Sequence, residues 1–137
     1  MKYAFLIAAM LLIANSVMAS DIPVMTIAYE ARGEGLAGQI AVAEVIRNRV
    51  RERGQTAERV CLAKYQFSCW NAAIKPKLRA ITAQEYQIAA KAWQASEASN
   101  LTRGATLYCN LAIVRPKWAN RATRLVKLGR HTFFREK

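Results

Sequence analysis

Beyond the first twenty residues, apolar positions recur at helical spacing. Val24, Ile27, Ala28 and Ala31 fall at i, i+3, i+4 and i+7, the repeat of one buried face of a short helix. Arg32-Gly33-Glu34-Gly35 interrupts it. A second helix is expected from about Leu36 to Arg53, with Val42, Val45, Ile46 and Val50 as its buried stripe and Arg47, Arg51 and Glu52 outward. Gly54 is its stop. Residues 55–80 read as loop with short turns, closing on Lys75-Pro76-Lys77. Thr82-Ala83-Gln84-Glu85 is a capping box, in which hydroxyl and carboxylate satisfy the orphan amides of a helix start. The helix it opens is expected to reach about Ser99, with Tyr86, Ala89, Ala90 and Trp93 buried. After Asn100 the pattern changes. Ala105–Cys109 and His131–Phe134 have strand-like content and are expected to pair as a small antiparallel sheet. The stretch between them, with Pro116, Trp118 and many Arg and Lys, reads as an irregular surface loop. The class is α+β: a mainly helical lobe, a small antiparallel β lobe, and a cleft between them.

The first residues follow a different logic. Met1-Lys2 is a positive start, Tyr3 to Ala14 is nearly all apolar, and Val17-Met18-Ala19 precedes Ser20-Asp21. This fits a signal peptide cleaved after Ala19. The apolar run is short against the roughly 20 residues of a membrane span. An uncleaved anchor is the competing reading. The expected division is a signal peptide at 1–19 and one folded domain at 20–137, exported to the periplasm or the extracellular wall.

Charge then narrows the partners. The chain carries 21 Lys and Arg against 9 Asp and Glu, a formal net charge of +12, of which the signal holds a single Lys. Such a field predicts an anionic partner. Export demotes nucleic acid, so peptidoglycan and its attached anionic polymers become the natural partners. Plain solubility is the alternative that charge alone does not separate.

The three cysteines are Cys61, Cys69 and Cys109. In an oxidising compartment one pair is expected, with Cys61–Cys69 favoured because it would stiffen a short loop, and pairing through Cys109 left open. There is no Cys-x-x-Cys and one histidine, so no zinc site is expected.

Among candidate chemical groups Glu30 comes first. It lies at the edge of the stripe of Val24, Ile27 and Ala31, where partial desolvation favours the protonated acid that cleavage of a glycosidic bond requires. An exposed glutamate, or one paired with Arg32 or Arg47, is the bland alternative. Glu34, between two glycines, is either a second carboxylate of the cleft or an acid at the start of the next helix. Glu44 is expected to form a surface ion pair with Arg47. Gln66 and Trp70, around a core-directed Phe67, offer the amide and aromatic face with which proteins hold sugars. Tyr108, Asn110 and Trp118 are a similar mixture, each at least as suited to packing as to lining a cleft. His131 is the lone histidine, with no obvious acid partner in sequence. No Ser-His-Asp ordering and no phosphate-cradling glycine loop occur.

These residues add up to a resemblance. Tyr29-Glu30-Ala31-Arg32-Gly33-Glu34, followed by Gln39-x-Ala41-Val42-Ala43-x-Val45-Ile46-x-Asn48-Arg49-Val50, resembles the opening of the SleB/CwlJ-type cell wall hydrolases. Val60-Cys61, Gln66-Phe67-Ser68, Ala89-Ala90, Gly104-Ala105-Thr106-x-Tyr108, Trp118 and Leu128-Gly129-Arg130-His131-Thr132-Phe133-Phe134-Arg135 follow in the family's order. The resemblance implies a lysozyme-like or transglycosylase-like cleft, with the family's catalytic glutamate at Glu30. Glu34, Gln66, Trp70, Tyr108, Trp118 and His131 are the expected substrate contacts. Two departures stand out: Tyr108-Cys109-Asn110 differs from the commoner version, and Phe134 replaces the usual Tyr. The implied reaction cuts the β-1,4 bond between N-acetylmuramic acid and N-acetylglucosamine in peptidoglycan glycan strands. Lytic transglycosylation by one glutamate is favoured, because hydrolysis normally asks for a second carboxylate. No metal or organic cofactor is implied, and the expected state is a monomer. The rivals are a noncatalytic basic binding protein for wall polymer or nucleic acid, and a phage endolysin acting as a muramidase.

Overall fold

The computed structural model describes residues 21–137. The expected signal peptide at 1–19 lies outside the described residues. Among the described residues the fold has four α-helices and a three-stranded sheet: α1 (Asp21–Ala31), α2 (Leu36–Arg53), α3 (Ala57–Leu62), α4 (Ala83–Ala95), β1 (Leu107–Cys109), β2 (Thr123–Leu128) and β3 (His131–Arg135). Single 3-10 turns lie at Ser68–Trp70, Lys75–Lys77 and Lys117–Asn120. Among the described residues no helix is long and apolar enough to cross a membrane.

The local signals act as their chemistry dictates. Asp21 and Pro23 occupy the first turn of α1, where an acid complements the helix dipole and proline loses no intrahelical bond. Gly54 takes a left-handed φ of 60° and its N–H reaches Val50 O at 3.0 Å, closing α2. The capping box of α4 is complete: Thr82 Oγ1 accepts from Glu85 N at 3.1 Å, and the Glu85 carboxylate accepts from Thr82 N at 3.0 Å.

α2 is the centre of the molecule. Val42, Ala43 and Ile46 face a core built with Val24, Ile27, Ala28, Val60, Ala89 and Ala92. Ala41 and Val45 face a second core with Ala105, just before β1, and Phe133 of the sheet. A helix between two cores is buried on most of its circumference, so the expected single stripe was too narrow. Arg47 is not simply outward. Its guanidinium lies 3.7 Å from the centroid of the Trp93 ring and donates to Trp93 O and Ser96 Oγ, both at 2.7 Å.

Glu44 corrects the sequence reading most sharply. It is 3% exposed and forms no surface pair with Arg47. Its Oε1 accepts from Thr102 N and Thr102 Oγ1 at 2.9 Å each, and its Oε2 accepts from Ser99 Oγ at 2.6 Å and Leu101 N at 2.9 Å. Those bonds require 99–102 in a turn, which is why α4 ends at Ala95 and not near Ser99.

The sheet has the order β1-β3-β2, antiparallel throughout. Tyr108 pairs with Phe133 and Leu107 with Phe134. The strand β2 falls in the stretch read as irregular loop. It is an edge strand with Arg124 and Lys127 exposed, and a bulge between Arg124 and Val126 breaks its alternation. α3 also falls in a stretch expected as loop; Thr56 caps it, accepting from Arg59 N.

Candidate active site

Glu30 stands on the last turn of α1, half-buried, where the helical lobe meets the sheet. Tyr108 reaches it from β1, its hydroxyl donating to Glu30 Oε2 at 3.1 Å. Burial first, then the neighbouring Glu30 carboxylate, hold the Tyr108 hydroxyl well above its ordinary pKa. It therefore remains a proton donor toward Glu30 at any physiological pH. The Tyr108 ring is fixed by Phe133 at 5.6 Å and by His131, edge-on at 5.0 Å.

Cys69 closes the other side. Burial pushes its thiol up, and the facing Glu30 carboxylate raises it further, so it stays protonated against Glu30. Burial likewise pushes Cys61 up to about 11. Cys61, Cys69 and Cys109 are all free and buried. The expected Cys61–Cys69 disulfide is thus corrected: both side chains are core-forming thiols, Cys61 beside Thr26 and Cys69 facing Glu30.

Glu34 sits in the turn between α1 and α2. Its Oε1 accepts from Arg130 Nε at 3.1 Å, and Arg130 also donates to Gly33 O at 3.2 Å. A Cβ at Gly129 would come within 2.5 Å of Glu34 Oε2, and one at Gly38 within 2.8 Å of Glu34 Cβ. Glycine at both positions makes room for this side chain, and at Gly129 the hairpin also needs its φ of 57°. Glu34 is therefore a clamp between the α1–α2 turn and the β2–β3 hairpin; the N-cap of α2 is Gly35.

His131 finds its acid neighbour in this clamp. Nδ1 lies 3.7 Å from Glu34 Oε1, buried and without a hydrogen bond. Burial lowers its pKa, opposed by Glu34 and Glu30. Glu30, Tyr108, His131 and Glu34 thus form one continuous polar seam where the two lobes meet.

The remaining expected contacts divide. Trp70 is half-buried beside the seam. Its Nε1 donates to Thr26 Oγ1 at 2.8 Å, and Tyr29 packs edge-on at 6.3 Å. The Gln66 carbonyl is engaged by Arg53 at 3.4 Å. Trp118 is not brought to Glu30. It packs edge-on against Phe134 at 5.3 Å. Phe134 alternates with Phe133 along β3, so Trp118 lies behind the sheet from Tyr108. Sequence reasoning missed Cys69 as a neighbour of Glu30, and Arg49. Arg49 is 5% exposed and donates to Thr106 O at 2.7 Å just before β1. Arg49 lies within the Asn48-Arg49-Val50 block; for Cys69 no sequence pattern signals the contact. Among the described residues no group of three His, Cys, Asp or Glu side chains is placed to hold a metal ion.

A helical lobe meeting a small sheet, with half-buried Glu30 at the junction, defines a lysozyme-like domain. The sequence profile of the cell wall hydrolases matches residues 33–134, most of the chain, and this chain belongs to that family. Glu30 lies just before the matched segment. Two solved structures share the fold. The catalytic domain of the germination-specific lytic transglycosylase SleB from Bacillus anthracis superposes with a TM-score of 0.68 at 28% identity, covering 84% of this chain and 93% of that one. The catalytic domain of the Bacillus cereus SleB protein gives 0.64 at 28% identity, covering 84% and 89%. A comparison with curated proteins gave no match.

Proposed function

We propose that this cell wall hydrolase is a peptidoglycan glycosidase cutting the β-1,4 bond between N-acetylmuramic acid and N-acetylglucosamine by lytic transglycosylation, with Glu30 as its acid and base. The observation that carries the reading is the state of the carboxylates around the seam. Glu30 is held only by the Tyr108 hydroxyl and the facing Cys69 thiol, and pairs with no cation among the described residues. Glu34 is clamped by Arg130, and Glu44 is saturated by four donors. A hydrolytic route normally uses a second carboxylate, and both neighbours in sequence are committed elsewhere.

In this scheme protonated Glu30 gives its proton to the glycosidic oxygen, and the C1–O4 bond breaks. The ring carries the positive charge at C1. The muramyl C6 hydroxyl then attacks C1 and returns its proton to the Glu30 carboxylate, leaving a 1,6-anhydro end with no water consumed. Tyr108 and Cys69 orient the carboxylate through both half-reactions and hold water back from one side. The similarity to a lytic transglycosylase supports this chemistry. Export to the periplasm or outer wall belongs to the same proposal, as does retention on anionic wall polymers by the basic surface.

The test incubates the protein and Glu30→Gln with peptidoglycan and reads the soluble products by mass spectrometry. Anhydromuramyl products from the wild type, reduced about 10²–10⁴-fold in the variant, are expected. Reducing-end muramic acid would replace the scheme with hydrolysis. Binding without release of fragments by either form would replace it with a binding protein.

A further inference from the structure

The segment 67–71 carries both a neighbour of Glu30 and the lining of a groove. Cys69 faces Glu30. Lys64, Tyr65, Phe67, Ser68, Trp70 and Asn71 line an open groove of about 560 Å³. Tyr65 is 81% exposed and held at a φ of 63°, a conformation uncommon for an aromatic residue. The ring stands in solvent at the rim of the groove. Two ammonium groups flank the aromatics: Lys64 Nζ lies 5.0 Å from the centroid of the Tyr65 ring, and Lys75 Nζ 4.9 Å from that of Trp70.

The charge around the groove is one-sided. Between Glu58 and Glu85 the chain carries Arg59, Lys64, Lys75, Lys77 and Arg79 and no carboxylate. Arg79 is held by Glu85, whereas Lys64 and Lys75 form no salt bridge among the described residues. An aromatic groove suffices for a neutral sugar. Free ammonium groups at its rim suit a ligand that also carries carboxylates. In peptidoglycan the amide-linked glycan is neutral, and the free carboxylates belong to the stem peptides.

We propose that this groove receives the anionic stem peptide of a muramyl residue next to the bond cleaved at Glu30, with Lys64 and Lys75 pairing with its carboxylates. The chain is then selective for strands whose stems keep free carboxylates. This assignment rests on the glycosidase reading above.

The experiment measures kcat/KM at low ionic strength on two soluble substrates made from one preparation. The first is native peptide-bearing glycan; the second is the same glycan with its carboxylates capped as methylamides by carbodiimide coupling. The wild type is expected to prefer native over capped glycan by about three- to ten-fold, the range of two exposed ion pairs. That preference fades as salt is raised. Lys64→Gln/Lys75→Gln is expected to lose the preference on native glycan and to match wild type on capped glycan. Lys91→Gln/Lys127→Gln removes the same charge elsewhere and is expected to keep the preference. Equal wild-type turnover of both substrates would overturn the groove assignment alone, as would an equal loss of preference in the control variant. Turnover of neither substrate would overturn the glycosidase reading and the groove with it.

Discussion

Replacing Glu44 tests whether it anchors the fold or serves the reaction. In Glu44→Ala, four donors lose their acceptor: Ser99 Oγ, Leu101 N, Thr102 N and Thr102 Oγ1. Hydrogen bonds to a charged group contribute about 1.5–3 kcal/mol each, a gross loss of roughly 6–12 kcal/mol. Against this stands the desolvation of a carboxylate that is 3% exposed, several kcal/mol that the variant no longer bears. Water reaches part of the vacated turn, since Leu101 is 39% exposed. The net destabilisation is expected near 3–5 kcal/mol, the usual cost of removing one side of a buried charged network. For a domain of this size that corresponds to a fall in Tm of very roughly 12–20 °C, at about 4 °C per kcal/mol. Glu44→Gln keeps the shape and one carbonyl acceptor but turns an NH₂ toward two donors, so about 2–3 kcal/mol is expected. Urea unfolding followed by circular dichroism gives both numbers. Turnover measured well below each variant's Tm should stay within a few-fold of wild type. A loss under 1 kcal/mol would refute the anchoring argument. A Gln variant with wild-type stability and no turnover would make Glu44 part of the reaction and reopen the hydrolytic route.

Other consequences are equally specific. Tyr108→Phe keeps the ring against Phe133 and His131 but removes the bond to Glu30, so kcat should fall about 10- to 100-fold, the worth of a hydrogen bond to a charged group, with KM little changed. A matching rise in KM would instead make the hydroxyl a substrate contact. Burial depresses His131 below its ordinary 6.5, so the unfolded chain takes up this proton first as pH falls. Stability contributed by neutral His131 is complete above its ordinary value of about 6.5 and is lost as pH falls toward the depressed folded value, so Tm should begin to drop as pH falls below about 6.5. His131→Gln should flatten that part of the profile; an unchanged slope would assign it to the carboxylates. All three cysteines should resist a thiol reagent in the native protein at neutral pH and react after denaturation. A Cys61–Cys69 disulfide found by mass spectrometry would contradict this.

Much of the helical lobe was legible because its signals are local. The 3.6-residue repeat of α1, the capping box at Thr82 and the stop at Gly54 act over a few residues, and the structure places each where the pattern put it. Two strands were visible for the same reason. β2 was not: an edge strand needs an apolar set on one face only, and its bulge cancels the two-residue alternation. The position of Glu30 at the edge of the α1 stripe could be read from the helical wheel, as could its half-burial.

What the chain by itself determined is therefore the set of elements and the residue types able to do acid chemistry. The tertiary structure alone decided which of them meet. Tyr108 lies far along the chain from Glu30 yet donates to it, because β1 pairs with β3 and β3 packs on α2 through Phe133. The same packing gave Glu34 to Arg130 and His131, and Glu44 to the turn at 99–102. It also sent Trp118 behind the sheet and kept Cys61 and Cys69 as thiols. A carboxylate's role depends on its donors and its exposure, and these come from segments distant in sequence, which no local periodicity encodes.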